Sequence, residues 1–211
     1  MRRARSLAGR RIADLVHQGH TPTGLARAKG WTGELIEQLL GATAGSRPIP
    51  DFPELGVELK TLPITPQGKP HESTYVCRAP MGTDLAHAWE DSRVKHKLRR
   101  VLWVPLVAAR GTPLGDRMVG TPLLWSPDDE EEATLRADWE ALADLLGTGA
   151  FADIDARMGK ALQLRPKAAN AAQTVWALDD QAEWVKVNPF GFYLRARFTG
   201  GLVRRHYRLA T

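Results

Sequence analysis

A chain of 211 residues with 43% hydrophobic and 25% charged side chains can bury a substantial core, which excludes wholesale disorder and a fibrous class. Its longest apolar runs, such as VLWVPLVAA at 101–109, are far shorter than the roughly 18 residues that cross a bilayer, so no membrane span is expected. Cys77 is the single cysteine, which excludes an internal disulfide and a zinc ribbon and predicts a reducing, cytoplasmic location.

The net charge of +5 is carried by three basic blocks. Residues 1–11 hold five arginines and no acid, residues 93–100 (RVKHKLRR) hold five basic side chains around His96, and six basic residues without an acid follow Trp184. Such asymmetry indicates a polyanionic partner and favours nucleic acid. The alternative, that each block is a solvated face, stays open on charge alone.

Helices are predicted first along the chain, and strands follow. Apolar residues three and four apart predict helices at LAGRRIADLVHQ (7–18) and GELIEQLLGA (33–42). Period-two alternation then predicts a strand at LGVELKTLPI (55–64) and a second one at STYVCRA (73–79). The apolar run RVLWVPLVA (100–108) is typical of a third, more buried strand.

The strands are separated by turns and followed by an acidic helix. Proline and glycine in TPQGKP (65–70) and RGTPLGD (110–116) predict hairpin-like loops. Residues 127–146 combine acids at the start with leucines and tryptophan at helical spacing, which predicts an amphipathic helix whose charged side faces water. The elements together indicate an α/β or α+β class, with a mixed sheet flanked by helices.

The strand at 55–64 carries a glutamate and a lysine at alternate positions. Because side chains alternate between the faces of a strand, Val57 and Leu59 are expected in the core, and Glu58 and Lys60 share the opposite face. Asp51 precedes a loop that can fold its carboxylate back towards the strand. Two carboxylates suit Mg²⁺. A neighbouring lysine that orients metal-bound water and neutralises charge on the phosphorane suits phosphodiester hydrolysis.

This spacing alone is weak support for a nuclease. An aspartate upstream of Glu-x-Lys arises by chance in a large share of chains of this length and composition. The competing interpretation is a surface strand with an ion pair on one face, which is common and nearly neutral in free energy. The wider sequence has to decide between the two.

Five longer blocks of the chain are specific, and they run from about Gly30 to the C-terminus. They are GWTGELIEQLLGATAGSRPIPDFPELGVELKT (30–61), HKLRRVLWVPL (96–106), VGTPLLWSPDDEE (119–131), LRPKAANA (164–171) and GFYLRARF (191–198). In this order they resemble the MutH family of DNA mismatch repair endonucleases. The resemblance implies one α/β domain over residues 1–211, with a restriction-endonuclease-like fold, a central mixed β-sheet flanked by helices, and two lobes around a DNA-binding cleft. Residues 1–25 form a basic segment that matches only weakly.

The resemblance implies an activity that composition does not indicate. Members of this family nick the unmethylated strand of hemimethylated DNA on the 5′ side of the G in GATC, by Mg²⁺-dependent hydrolysis. Mn²⁺ is expected to substitute for Mg²⁺, and Ca²⁺ is expected to support binding without cleavage. The implied partners are double-stranded DNA containing GATC and the MutL ATPase, which activates the nuclease after MutS has found a mismatch. A monomer without membrane association is expected.

The resemblance also implies roles for five residues of a catalytic centre. Asp51, Glu58 and Lys60 match the family's catalytic D…E-x-K triad. Glu37 in LIEQLLG matches a helical glutamate that reaches the metal, so Asp51, Glu58 and Glu37 are the implied metal ligands. Lys97 in VKHKLRR matches a second active-site lysine. Taken alone, Glu37 is an exposed helix charge and Lys97 is a solvated lysine.

Five further residues match positions that contact DNA in the family. Lys29 in KGW matches a DNA-contacting lysine, and Arg165, Lys167 and Tyr193 match readers of the GATC site and of its methylation state. Tyr75 stands where a phenylalanine is familiar, a change that keeps the ring. An arginine can bond guanine O6 and N7 as a fork, and a ring near adenine N6 can sense an added methyl. Without the resemblance, Tyr193 is interpreted as a core residue.

Parts of the chain depart from the family pattern. Phe190 stands where an arginine often precedes GFY, residues 174–188 match poorly, and the arginine block at the start is interpreted as a mobile tail that attracts phosphate. Two other functions remain open: a type II restriction enzyme that cuts both strands at GATC, and a non-enzymatic DNA-binding module with structural acids. A plasmid assay separates a nickase, which gives open circles, from a restriction enzyme, which gives linear DNA.

Overall fold

The computed structural model describes residues 1–16, 30–45, 47–80, 88–167 and 174–209. The chain divides into two compact units. The first comprises Met1–Glu72, Arg99–Ser126 and Gly200–Thr211, and the second comprises Ser73–Leu98 and Pro127–Thr199. Within the described ranges, no helix combines the length and the apolar character that a membrane span requires.

The described residues contain six α-helices and nine strands. The helices are α1 (Arg2–Leu7), α2 (Ile12–Leu15), α3 (Trp31–Leu40), α4 (Arg93–Leu98), α5 (Asp129–Thr148) and α6 (Ala196–Tyr207). The strands are β1 (Glu58–Ile64), β2 (Thr74–Arg78), β3 (Val101–Val107), β4 (Met118–Val119), β5 (Leu123–Trp125), β6 (Leu162–Pro166), β7 (Val175–Leu178), β8 (Trp184–Val187) and β9 (Phe190–Leu194). The predicted helix at 33–42 and the predicted strands at 55–64, 73–79 and 100–108 are confirmed. The helix begins and ends two residues earlier than predicted, and the three strands are shorter.

The first unit is built on a mixed sheet flanked by helices, as predicted. β1 lies parallel to β3 along its whole length, and β4 and β5 pair antiparallel with β3. Every β3 side chain except the last is buried, as expected for a strand with neighbours on both sides. Ile36 and Leu40 of α3 share one core with Val57 and Leu59. This core fixes which face of β1 is turned inward.

The start of the chain differs from its prediction. The single helix predicted at 7–18 is wrong, because Gly9 adopts φ +80° and donates its N–H to the Val119 carbonyl oxygen at 2.8 Å. A positive φ interrupts a right-handed helix and is easily adopted only by glycine. Leu7 and Ile12 are buried in the same core as β1. The interpretation of this arginine-rich segment as a mobile tail is therefore also wrong.

The second unit contains strands that the sequence analysis did not predict. β9 is the central strand of an antiparallel sheet, with β2 on one side and β6 on the other. β7 and β8 form a separate two-stranded hairpin. β6, β7, β8 and β9 are four or five residues long, so little alternation is present to indicate them.

The acidic segment at 127–146 forms α5, as predicted. Asp128 accepts a hydrogen bond from the Glu131 N–H at 2.8 Å, and the Glu131 carboxylate accepts one from the Asp128 N–H, a capping box that begins the helix. The apolar side of α5 is buried at Leu135, Trp139, Leu142 and Leu146. The expectation that the charged side faces water is wrong for Glu131 and Asp138, which are buried.

Asp138 connects α5 to the start of β6. Its carboxylate accepts hydrogen bonds from the N–H groups of Lys160, Ala161 and Leu162 at 2.5 to 2.9 Å. Asp138→Ala leaves these donors without an acceptor, and we expect it to lower the free energy of unfolding by about 3 kcal/mol in chemical denaturation. The matched control is Asp144→Ala, at an exposed position of the same helix. Equal unfolding midpoints for the two variants would contradict this role of Asp138.

Candidate functional site

Asp51 precedes a turn that folds back onto β1, as predicted. The Phe52 N–H donates to the Val57 carbonyl oxygen at 2.9 Å, which closes the turn. The Asp51 Oδ2 atom accepts a hydrogen bond from the Leu59 N–H at 2.7 Å. The carboxylate is therefore held against the strand, at the residue that follows Glu58.

Glu58 and Lys60 form an ion pair on one face of β1. The Lys60 Nζ atom donates to Glu58 Oε1 at 3.4 Å, and the two side chains are only 9% and 7% exposed, respectively. The shared face is as predicted, but the competing interpretation as a surface ion pair is wrong. Because removing two charges from water costs about as much as their attraction returns, a buried pair contributes little to stability. Its presence here favours a chemical role.

Glu37 and Lys97 lie on helices. Glu37 is half-buried on α3, which packs against β1, and Lys97 is half-buried on α4 in the second unit. Among the described residues, no group of three or more histidine, cysteine, aspartate or glutamate side chains is arranged to hold a metal ion. The roles of Glu37 and Lys97 therefore stay predictions. Lys29 lies outside the described residues.

Asp51 and Glu58 offer the donor atoms that Mg²⁺ prefers. The Asp51 carboxylate lies at the Leu59 N–H, and the Glu58 carboxylate lies 3.4 Å from Lys60 Nζ. Mg²⁺ is typically held by one or two carboxylates, with waters and substrate phosphate completing its shell. The donor chemistry of this strand therefore fits the metal.

Four of the predicted DNA-contacting residues meet on one face of the sheet formed by β2, β9 and β6. Tyr75 and Tyr193 are paired across β2 and β9, with ring centroids 5.3 Å apart. The Lys167 Nζ atom lies 4.6 Å from the centre of the Tyr75 ring, and the Arg165 Cζ atom lies 5.9 Å from the centre of the Tyr193 ring. We call these four side chains the cation-aromatic face. They are distant in sequence, so the fold brings them together.

Two residues that the sequence analysis did not single out shape this face. The Arg165 Nη1 atom donates to Ser73 Oγ at 2.8 Å, which orients the guanidinium. A Cβ atom at Gly191 would lie 3.0 Å from the Tyr75 ring and 3.2 Å from the Tyr193 ring, so glycine lets both rings approach without a shift. The glycine in GFYL is a signal that sequence reading could use, whereas a serine before a strand offers none.

Some arginines expected to attract a polyanion hold the protein together instead. Arg195 and Arg197, in the C-terminal basic block, donate to backbone carbonyl oxygens of the loop at residues 156–160. Burial lowers the pKa of Arg195 from its ordinary value. The prediction that this whole block faces a polyanion is therefore too broad.

The mixed sheet, the D…E-x-K strand and the α/β architecture place this chain in the restriction-endonuclease-like class. Residues 40–138 match the family model of the DNA mismatch repair enzyme MutH. The chain is 51% identical over 209 residues to the DNA mismatch repair protein MutH of Pectobacterium atrosepticum, covering 98% of this chain and 90% of that protein. It is 50% identical over 207 residues to the same protein of Serratia proteamaculans, covering 97% and 91%. The chain belongs to the MutH family of DNA-binding endonucleases of mismatch repair.

Proposed function

We propose that this chain nicks the unmethylated strand of hemimethylated GATC sites, on the 5′ side of the G, by Mg²⁺-dependent hydrolysis. The observation that carries the proposal is the cation-aromatic face, where Arg165 and Lys167 are exposed beside the rings of Tyr75 and Tyr193. Arginine and lysine bond the edge of guanine, and aromatic rings make apolar contacts with base edges. Residues that only filled a core would not leave two cations in water beside two rings.

The strand β1 supports the hydrolytic part of the proposal. When bound, Mg²⁺ polarises the phosphodiester and lowers the pKa of a coordinated water. Asp51 and Glu58 would hold the ion, with Glu37 as a third carboxylate. Lys60 places a positive charge beside Glu58, where it can neutralise the negative charge that grows on the reacting phosphate. Lys97 is the proposed second lysine of this centre.

Recognition of the site is assigned to the second unit. Arg165, which Ser73 orients, bonds guanine O6 and N7 as a fork. Tyr193 approaches adenine N6, where an added methyl would clash with the ring. Lys167 and Tyr75 complete the contact with the site, and Lys29 is proposed to contact the same DNA.

The proposed partners and conditions follow from family membership. The MutL ATPase activates the nuclease on double-stranded DNA, and MutS acts through MutL. The proposed active form is a monomer in the cytoplasm, where the thiol of Cys77 stays reduced. Mn²⁺ is proposed to substitute for Mg²⁺, and Ca²⁺ to support binding without cleavage.

A nicking assay on three plasmids tests the proposal. The plasmids carry the same GATC sites in unmethylated, hemimethylated and fully methylated form, and a plasmid without GATC is the control. With Mg²⁺ we expect open circles, cut on an unmethylated strand, from the unmethylated and hemimethylated plasmids. The fully methylated plasmid and the plasmid without GATC should give little product. Linear DNA as the first product would identify a type II restriction enzyme instead. Binding without a cut product in Mg²⁺ or Mn²⁺ would identify a non-enzymatic module.

A further inference from the structure

A β-bulge in β2 changes which residues share the cation-aromatic face. Tyr75 pairs with Tyr193, but the next paired residue is Cys77, opposite Phe192, so Val76 is an extra residue in the strand. Val76 and Cys77 are accordingly both buried, at 3% and 4% exposure. The extra residue shifts the alternation of side chains by one position. Residues three apart, Tyr75 and Arg78, therefore lie on the same face of the sheet.

Arg78 is in line with Arg165 across the sheet. Both arginines are paired with Gly191 of the central strand, one from β2 and one from β6. A Cβ atom at Gly191 would point towards the rings of Tyr75 and Tyr193. The row formed by Arg78, Gly191 and Arg165 therefore lies on the same side of the sheet as the cation-aromatic face. Two arginines thus flank a strip of sheet that carries no side chain.

The charge of Arg78 acts on the cation-aromatic face. Burial raises the pKa of the Tyr75 phenol, and the positive charges of Arg93 and Arg78 oppose that rise. Both guanidinium groups are therefore near enough to the phenol to influence it. Arg78 is exposed to solvent, so its charge is available to a ligand lying on the sheet.

We propose that Arg78 binds a backbone phosphate of the DNA whose bases face Arg165. Two strand spacings separate the backbones that carry these arginines, about 10 Å. In a major groove about 12 Å wide and about 8.5 Å deep, the middle of the floor lies roughly 10 Å from either flanking backbone. Arg165 can therefore reach a base edge on the floor of the groove while Arg78 reaches a phosphate on the backbone that flanks it. The inference rests on the proposed function only for the assignment of Arg165 to a base.

The salt dependence of binding tests this proposal, because each neutralised phosphate adds about 0.9 to the slope of log affinity against log salt. Binding is measured in Ca²⁺ on one GATC duplex and one duplex without GATC, from about 50 to about 200 mM salt. Arg78→Ala should lower the slope by about 0.9 on both duplexes, so that its affinity deficit shrinks about 3.5-fold across this range. Its preference for GATC should equal that of the wild type. Arg78→Lys should keep the wild-type slope.

Arg157→Ala is the matched control, because the Arg157 side chain is 92% exposed in a loop of the same unit and its loss changes the net charge equally. Its slope should equal that of the wild type. An unchanged slope for Arg78→Ala, the same decrease for Arg157→Ala, or a loss of GATC preference at constant slope would each overturn the proposal. If the wild type shows no GATC preference, the proposed function fails, and the slopes on the duplex without GATC still decide the role of Arg78.

Discussion

Lys60→Ala and Glu58→Ala are each expected to reduce the nicking rate by at least roughly a hundredfold, because the first removes a positive charge that stabilises the transition state and the second removes a proposed Mg²⁺ ligand. The two side chains share the face of β1 opposite to Leu59, with Nζ and Oε1 3.4 Å apart. Affinity for DNA comes mainly from the distributed arginines and lysines. Lys60→Ala should therefore keep most of its affinity in Ca²⁺. Initial nicking rates and binding curves on one duplex measure the two effects separately.

Folding has to be separated from chemistry in this experiment. Glu58→Ala leaves a buried ammonium without its partner, a change that costs ~3–5 kcal/mol. Glu58→Gln keeps the volume of the side chain and is the second variant. Lys69→Ala removes an exposed lysine from the loop after β1 and should nick at the wild-type rate. Near-normal nicking by a folded Lys60 or Glu58 variant would contradict the assignment of the catalytic triad.

Tyr193→Ala is expected to relax methylation discrimination without destroying cleavage. A methyl on adenine N6 adds bulk in the major groove at the edge that a ring would approach. One base-edge contact contributes ~1–3 kcal/mol, so the ratio of nicking rates on unmethylated and fully methylated duplexes should fall roughly ten- to a hundredfold. Initial rates on matched duplexes give this ratio. Tyr193→Ser should behave in the same way, and Tyr193→Phe keeps the ring and should keep the ratio.

Arg165→Ala should have a different signature from the tyrosine variants. Arg165 is proposed to read bases that are common to all methylation states. Its loss should therefore lower cleavage of every GATC duplex. The Arg165 Cζ atom lies 5.9 Å from the centre of the Tyr193 ring, so removal of the ring also disturbs the guanidinium and lowers all rates together. The ratio of rates isolates methyl sensing from this shared effect. An unchanged ratio in Tyr193→Ala would make Tyr193 a packing residue.

The elements around β1 could be predicted because their patterns are local. α3 repeats apolar residues at three and four positions, β3 is apolar throughout, and the alternation in β1 places Val57 and Leu59 in the core. The burial of Glu58 could not be predicted in this way. It depends on what covers the other face of the strand, which is set by chain segments distant in sequence.

The cation-aromatic face could be predicted only through the family resemblance. Its residues come from three segments, and the sequence of no single segment predicts the pairing of β2, β6 and β9. The bulge at Val76 exists only relative to β9, so strict alternation would put Arg78 on the wrong face. Asp138 is a similar case, because the N–H groups that donate to its carboxylate lie 22 to 24 residues further along the chain. A helical pattern indicates only a solvated charge there.

The buried ion pair on β1 separates the folding of the protein from the binding of the proposed Mg²⁺. Carboxylates gathered without a cation repel each other, and a site built from them alone would favour the unfolded chain until an ion arrived. Here the ammonium of Lys60 is a covalently attached counter-ion for Glu58. The polypeptide can therefore reach its native state and keep it where free divalent ions are scarce. Occupancy by the proposed Mg²⁺ would then be a reversible condition on cutting, and folding would not depend on it.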